Sequence, residues 1–173
     1  MSVRVRIVQL EPEVLRALAA DDLAAADALA PVALTPYLVS PEKIGVWRMR
    51  ARQVVESPQD LPWVTGAVVD VDTGLVVGAG GFHAAPDERG MVEAGYGVDP
   101  ARRRRGYARA VLEALMERAR TEASVRVLRL TISPENEPSL ALARQYPFVE
   151  VGEQWDEEDG LETIYELDVT AAP

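Results

Sequence analysis

A run of arginines followed by glycine is the part of this sequence whose residue types and spacing best suit chemistry. Arg103 to Ala108 reads Arg-Arg-Arg-Gly-Tyr-Ala, and an apolar helical periodicity follows it, which predicts a helix starting near Arg104 or Arg105. A helix start has backbone N–H groups without intrahelical acceptors and carries partial positive charge. Glycine lets a large anion approach the backbone, and guanidinium groups bind phosphate oxygens. The segment therefore predicts a phosphate or pyrophosphate site.

Two elements must position this loop, a strand before it and a helix after it. Met91 to Val98 is rich in β-branched, aromatic and small residues and predicts a strand, which Asp99-Pro100 ends because proline cannot donate to a sheet ladder. The apolar residues of the helix recur at i, i+3, i+4 and i+7, and they are Ala108, Val111, Leu112, Leu115, Met116 and Ala119. Such a stripe indicates a helix that packs on a sheet.

Strand, proline, Arg-x-x-Gly-x-Ala and amphipathic helix, in that order, resemble the coenzyme A loop of the GNAT superfamily of N-acetyltransferases. The preceding VEAGYGVDP, with Glu93 ahead of Gly95-Tyr96, is most similar to the branch typified by the ribosomal-protein N-terminal alanine and serine acetyltransferases. The resemblance extends from about residue 75 to residue 169 and is strongest over 92–148. It implies acetyl-CoA as the acetyl donor and an amine as the acceptor.

The resemblance also implies a set of cofactor-binding residues. They are Tyr96, Gly97, Val98, Arg103, Arg104, Arg105, Gly106, Tyr107, Ala108, Asn136 and Ser139. A backbone N–H between Tyr96 and Val98 is expected to polarise the thioester carbonyl, on a strand that is bulged in the family and that Gly95 and Gly97 allow to bulge here. Asn136 is expected to contact coenzyme A or to cap the following helix, and the two roles are compatible.

Three residues are candidates for proton transfer. The resemblance makes Glu93 the acceptor of the amine proton, often through water, whereas the alternative is a strand glutamate paired with an arginine. Ser139 matches the serine that serves the leaving thiolate in the N-terminal-acetylating branch. Many family members instead have a tyrosine four residues before a Gly-Phe pair, but Ala143 precedes Pro147-Phe148 here, so Tyr146 is the second candidate. With no cysteine and no serine flanked by histidine, we expect direct transfer in a ternary complex.

Four further residues are considered for the acceptor side. In the family the helices between the first two strands line the acceptor cleft, which makes Tyr37, Trp47 and Arg48 candidates. Trp47 also fits an apolar helix face, and this favours a place in the core. His83, the single histidine, ends a predicted strand, where a solvent-facing position is a simpler interpretation than catalysis.

Composition excludes several other classes of protein. The chain has 28 acidic and 18 basic residues, a net charge of −10, which argues against nucleic-acid binding despite the arginine run. The absence of cysteine excludes disulfides and thiolate metal sites, and with one histidine we expect no metal. No apolar run has membrane-spanning length or signal-peptide form, so we expect a cytoplasmic protein without membrane contact. The sequence is compatible with a homodimer but does not fix the oligomeric state.

The order of predicted elements indicates an α/β fold in a single domain spanning residues 1–173. Strands are predicted over 3–10, 61–71, 75–83, 91–98, 125–132, 148–154 and 161–169, and helices over 11–20, 21–29 and 40–56, from 104 or 105, and from 136. The resemblance implies the GNAT fold, a mixed, mostly antiparallel sheet of about six or seven strands with helices on both faces and two splayed parallel strands at the cofactor site.

The leading hypothesis is an acetyl-CoA-dependent N-acetyltransferase that acts on a protein N-terminal α-amine. An α-amine, with a pKa of about 7.7 to 8.0, needs less help at neutral pH than a lysine, with a pKa of about 10.4. One alternative acceptor is a small amine such as an antibiotic, a polyamine or an amino acid. The other alternative is a non-catalytic domain that binds acyl-CoA as a sensor, which the replacements at Ala143 and Pro147 support.

Overall fold

The computed structural model describes residues 3–157 and 160–170. Its strands are β1 (Val5–Val8), β2 (Gly66–Asp70), β3 (Val76–Phe82), β4 (Met91–Val98), β5 (Val127–Ile132), β6 (Val149–Asp156) and β7 (Gly160–Asp168). Its helices are α1 (Pro12–Ala19), α2 (Leu23–Leu29), α3 (Pro41–Glu56), α4 (Tyr107–Thr121) and α5 (Glu137–Ala143). The strand order is β1-β2-β3-β4-β5-β7-β6. The predicted α/β class and mixed sheet are confirmed, because β4–β5 is parallel whereas β1–β2, β2–β3, β5–β7 and β6–β7 are antiparallel.

The chain forms two compact units, each made of two segments. The first comprises residues 1–85 with 95–114, and the second comprises 86–94 with 115–173. The single domain expected over residues 1–173 stays a prediction. In the described residues, none of the helices has the length and hydropathy that crossing a membrane requires.

The core of the first unit lies under α1 and α3. Helix α1 packs on α3 and on α2, and its apolar face is fully buried. Asp22 caps α2, since its Oδ1 accepts a hydrogen bond from Ala25 N at 2.9 Å. Trp47 has no exposed surface, and its Nε1 donates to the Leu38 carbonyl at 2.5 Å. The assignment of Trp47 to the core is therefore confirmed.

The glycines of β3 allow a close approach between backbones, as glycine inside a strand often does. A Cβ on Gly78 would collide with the Gly97 carbonyl oxygen, and a Cβ on Gly80 would lie 2.9 Å from the Cβ of Tyr96. Larger residues at these positions of β3 would therefore push away the stretch of β4 for which cofactor contacts are predicted.

In the second unit, β4 begins beside β5. Met91–Glu93 pairs in parallel with Val127–Arg129, while β7 pairs with both β5 and β6. The parallel pair implied by the resemblance is thus present, and its ladder covers the first three residues of β4. The splay of these two strands stays a prediction.

Several predicted boundaries are wrong. Helix α4 begins at Tyr107 rather than at Arg104 or Arg105, because Arg104 and Gly106 have positive φ values of 60° and 88°, which a right-handed helix cannot contain. Strand β2 begins at Gly66 rather than at residue 61, because a 3₁₀ turn at Pro58–Asp60 precedes it and Asp60 O accepts from the backbone of residues 63 and 64. Strands β1 and β5 are shorter than predicted, with bounds at 5–8 and 127–132.

Candidate active site

The loop between β4 and α4 is mostly exposed, and it contains a turn at Asp99 followed by two residues with left-handed backbone conformations. Asp99 closes its first turn by accepting a hydrogen bond at Oδ1 from the backbone N–H two residues on, at 2.9 Å. Arg103 folds back to the strand end, where its Nε donates to the Val98 carbonyl at 3.3 Å. Arg104 and Gly106 then adopt left-handed backbone conformations. The side chains of residues 103–105 remain exposed.

The start of α4 has the properties of an anion site. The first helical hydrogen bond at this end runs from Ala110 N to Gly106 O at 3.1 Å, so the N–H groups of Tyr107 and Ala108 have no acceptor within the helix. Gly106 and Ala108 are exposed and present little side chain to an incoming ligand. Four consecutive arginines precede them, and the helix has 15 residues, long enough for a developed dipole. These residues fit the pyrophosphate of coenzyme A.

Tyr107 anchors this helix start in the first unit. Its side chain is buried, and its hydroxyl donates to Asp70 Oδ2 at 2.7 Å. Asp70 Oδ1 in turn accepts from the backbone of Asp72 and Thr73 in the turn between β2 and β3. The hydrogen bond from Tyr107 lowers the pKa of Asp70, and the same bond raises the pKa of Tyr107. Any contact of Tyr107 with the cofactor would therefore come from its backbone.

Three polar side-chain groups lie over one face of β4. The Lys43 Nζ and the Tyr37 hydroxyl lie 2.8 Å and 2.9 Å from the point where a Cβ of Gly97 would be. The His83 Nε2 lies 2.7 Å from the corresponding point of Gly95. Residues two apart on a strand face the same side, so the two glycines make room for all three groups.

Burial and nearby charges shift the pKa values of two residues on this face. Burial raises the pKa of Tyr37 to about 12, and the Glu42 carboxylate adds to the effect. Burial lowers the pKa of Lys43, with Glu42 opposing that shift and Arg103 adding to it. Lys43 was missed in the sequence analysis, although a signal was present, since it is the single lysine among 18 basic residues.

A buried polar network fixes the strand end at His83. Arg50 Nη1 donates to Gln53 Oε1 at 2.7 Å and to the His83 carbonyl at 3.1 Å. Gln53 Nε2 donates to the same carbonyl at 2.8 Å and to Asp60 Oδ2 at 2.7 Å. Gln53 thus forms hydrogen bonds with both the buried guanidinium of Arg50 and the buried carboxylate of Asp60. Such hydrogen bonds offset the cost of removing a charged group from water.

A cavity of about 610 Å³ lies beside the N-terminal end of helix α3. Its lining comprises Pro36, Tyr37, Ser40, Pro41, Glu42, Asp99 and Pro100. The Ser40 Oγ is buried and has no hydrogen-bond partner among the described residues. Two carboxylates at the wall favour a cationic ligand.

In the second unit, Glu93 is half-buried on β4 and accepts a hydrogen bond at Oε1 from the Thr131 hydroxyl at 2.7 Å. Arg129 lies opposite Glu93 in the parallel register, but its guanidinium forms a close ion pair with Glu166 at 2.6 Å. Thr131 contributes to holding the Glu93 carboxylate, and the pairing of Glu93 with an arginine stays a prediction.

Helix α5 carries the other candidates of this unit. Asn136 Oδ1 accepts from Ser139 N at 3.3 Å, which confirms the predicted cap and joins these two residues. Ser139 is half-buried, whereas Ala143, which replaces the usual tyrosine, is 2% exposed. Tyr146 is half-buried beyond the end of the helix, where its backbone N–H donates to the Ala143 carbonyl at 3.1 Å. The catalytic and cofactor roles of these residues stay predictions.

Comparisons with known proteins agree with this architecture. A family model described as "Acetyltransferase (GNAT) domain" matches residues 4–149. A search of curated protein sequences gave no match. A chimera of the Vibrio cholerae spermidine N-acetyltransferase SpeG and hSSAT is 16% identical, with 96% of each chain covered and a TM-score of 0.66.

Two further solved structures have the same fold. A GNAT-family acetyltransferase from Bacillus anthracis is 17% identical, with 99% of this chain and 98% of that chain covered and a TM-score of 0.63. A dodecameric spermidine N-acetyltransferase from Vibrio cholerae is 13% identical, with 96% and 95% covered and a TM-score of 0.65. Similarity at these identities shows the fold, whereas the family model covers most of the chain. The protein therefore belongs to the GNAT family of acetyltransferases.

Proposed function

We propose that this protein is an acetyl-CoA-dependent N-acetyltransferase that transfers the acetyl group directly to a primary amine. The observation that carries this proposal is the exposed loop of residues 103–106, in which Arg104 and Gly106 have left-handed backbone conformations and a 15-residue helix follows. Acetyl-CoA would supply an activated acetyl thioester. The exposed arginines and the backbone N–H groups of Gly106 to Ala108 would bind its pyrophosphate, and the backbone of Tyr96 to Val98 would face its acyl end.

Glu93 would act as the proton acceptor for the attacking amine. The Thr131 hydroxyl donates to the Glu93 carboxylate at 2.7 Å and helps to hold it, and the carboxylate would take the amine proton directly or through water. Ser139 would serve the leaving thiolate, with Tyr146 as the second candidate. Alignment of the amine with the thioester would supply much of the rate.

Two classes of acceptor remain in competition. A protein N-terminal α-amine is supported by the similarity of VEAGYGVDP to the ribosomal-protein branch and by the low pKa of such amines. A small polycationic amine is supported by the cavity with Glu42 and Asp99 in its wall and by charge, since residues 145–173 contain nine acidic residues and no lysine or arginine. Similar structures include spermidine N-acetyltransferases, which fits the second class.

The decisive experiment pairs binding with turnover. Calorimetric titration with acetyl-CoA should give binding that is lost in Gly106→Glu, which places a bulky anionic group at the expected pyrophosphate position. Release of the coenzyme A thiol is then followed with peptides that begin with alanine or serine, and with spermidine. The class with the higher kcat/KM identifies the acceptor, and binding without turnover in either class would indicate the sensor alternative.

Glu93→Gln tests the chemistry in the same assay. Glutamine keeps the shape and can still accept a hydrogen bond from Thr131, but it cannot accept the amine proton, so kcat should fall by about 10²- to 10⁴-fold. The acetyl-CoA affinity should stay unchanged. Full turnover in this variant would remove Glu93 from the mechanism, whereas a loss of acetyl-CoA binding would indicate a structural role.

A further inference from the structure

Lys43 is the single lysine of the chain, and its amine faces the strand to which the acyl end of the cofactor is assigned. It lies in the first turn of α3, with a half-buried side chain. Its Nζ is 2.8 Å from the point where a Cβ of Gly97 would be, and it makes no hydrogen bond or ion pair among the described residues. One side of the amine is covered by the Tyr37 ring, whose centroid is 5.5 Å away.

Burial favours the nucleophilic form of the amine, while the Tyr37 ring favours the ammonium form. A lysine in water has a pKa of about 10.4, so only about one in 2,500 is neutral at pH 7. Burial lowers the pKa of Lys43 and thereby raises the neutral fraction. Arg103 acts in the same direction and Glu42 in the opposite one, while Tyr37 stays protonated and uncharged because burial raises its pKa to about 12. Desolvated lysines of this kind act as nucleophiles in enzymes.

We propose that Lys43 is a self-acetylation site, which takes an acyl group from an acyl-CoA thioester bound along β4. The inference rests on the proposed function, because it needs the acyl end of the cofactor near Gly97. The Nζ ammonium gives up one proton to solvent, and the lone pair that this frees attacks the thioester carbonyl carbon. A second proton leaves the nitrogen for solvent as the adduct collapses to the amide. A C–N bond forms, the C–S bond breaks, and coenzyme A leaves as a thiolate that takes up a proton from solvent.

Self-acetylation would reduce the activity of the enzyme. The amide removes the positive charge of Lys43 and adds an acyl group to the space beside Gly97 that the Lys43 Nζ and the Tyr37 hydroxyl share. The modified side chain would compete with the amine acceptor for that space. Accumulated acetyl-CoA without acceptor would therefore slow the enzyme until the acyl group is removed.

Tryptic mapping after incubation with acetyl-CoA provides a direct readout. Trypsin cuts after Arg16, Lys43 and Arg48, and it does not cut after an acetylated lysine, so modification replaces the fragments 17–43 and 44–48 by one fragment, 17–48. The wild type should form this fragment with saturable dependence on acetyl-CoA. Excess coenzyme A, which occupies the site without an acyl group, should block its formation in the unaltered protein, and Gly106→Glu should not form it.

Lys43→Arg is the matched control for the effect on activity, because arginine keeps the charge but is not acylated. Preincubation with acetyl-CoA should lower the wild-type rate relative to an untreated sample, and the same ratio in Lys43→Arg should stay near one. An intact Lys43 in a wild type that binds acetyl-CoA and acetylates an amine would overturn this inference alone. Equal modification in the presence of coenzyme A would also overturn it. A wild type that does not bind acetyl-CoA would overturn the proposed function as well.

Discussion

Arg104 adopts a left-handed backbone conformation that residues with a Cβ rarely occupy, at φ 60° in the middle of the anion loop. This conformation costs about 1 to 2 kcal/mol for an L-residue, and glycine avoids most of that cost. We expect Arg104→Gly to stabilise the protein by up to about 1 kcal/mol, because the greater entropy of unfolded glycine offsets part of the gain. Urea unfolding measures this change.

Arg105→Gly is the control for that substitution. It removes the same charge from the same loop, but Arg105 is not among the residues with positive φ, so glycine there should leave the unfolding midpoint unchanged or lower it. An equal stabilisation by both variants would mean that relief of arginine repulsion, rather than of backbone strain, is responsible. Both variants should weaken acetyl-CoA binding, since each removes one guanidinium from the proposed phosphate contacts.

A side-chain hydrogen bond connects the start of helix α4 to Asp70, which ends β2 and holds the β2–β3 turn. Tyr107→Phe removes the hydroxyl that donates to Asp70 Oδ2 at 2.7 Å, and a hydrogen bond to a charged buried group contributes about 1.5 to 3 kcal/mol. We expect that loss in the free energy of unfolding at pH 7. Acetyl-CoA binding should also weaken, because the start of α4 loses an anchor.

The pH dependence of stability identifies the cause of this loss. The pKa of folded Asp70 is lowered by the hydrogen bond from Tyr107, so the stabilisation is present above the unfolded pKa of about 3.9 and is lost as pH falls through the folded pKa. The difference between wild type and Tyr107→Phe should therefore be largest near neutral pH and shrink in acid. A difference that is constant with pH would indicate packing rather than the ionised hydrogen bond.

Sequence patterns predicted which helices and strands form better than they predicted where each element ends or which distant residues it contacts. β4 has the predicted bounds, and the Asn136 cap was foreseen, because both depend on local residue types. The start of α4 was misplaced because arginine is a good helix former, and only its position in the loop imposes φ 60° at Arg104. Lys43 was missed because its approach to Gly97 joins residues 54 positions apart, and no local pattern encodes such a contact.

Positive and negative charges are unevenly distributed along the chain. The net charge is −10, and residues 145–173 alone contain nine acidic residues and no lysine or arginine, whereas four consecutive arginines precede Gly106. The chain therefore concentrates positive charge at its proposed cofactor loop and negative charge toward its C-terminal end. Such separation favours anionic ligands at the loop and cationic ligands at the C-terminal segment.

Ionic strength tests this separation with the two proposed classes of acceptor. Raising salt from about 0.05 M to about 0.5 M shortens the screening length from about 14 Å to about 4 Å. KM for spermidine should then rise on the order of tenfold with little change in kcat, since long-range attraction affects encounter rather than chemistry. A peptide with a neutral side-chain composition should show a much smaller increase. The double variant Glu150→Gln and Glu153→Gln, both exposed on β6, should reduce the salt dependence for spermidine. If both acceptors respond equally to salt, the effect belongs to acetyl-CoA binding, and the acidic surface does not select the acceptor.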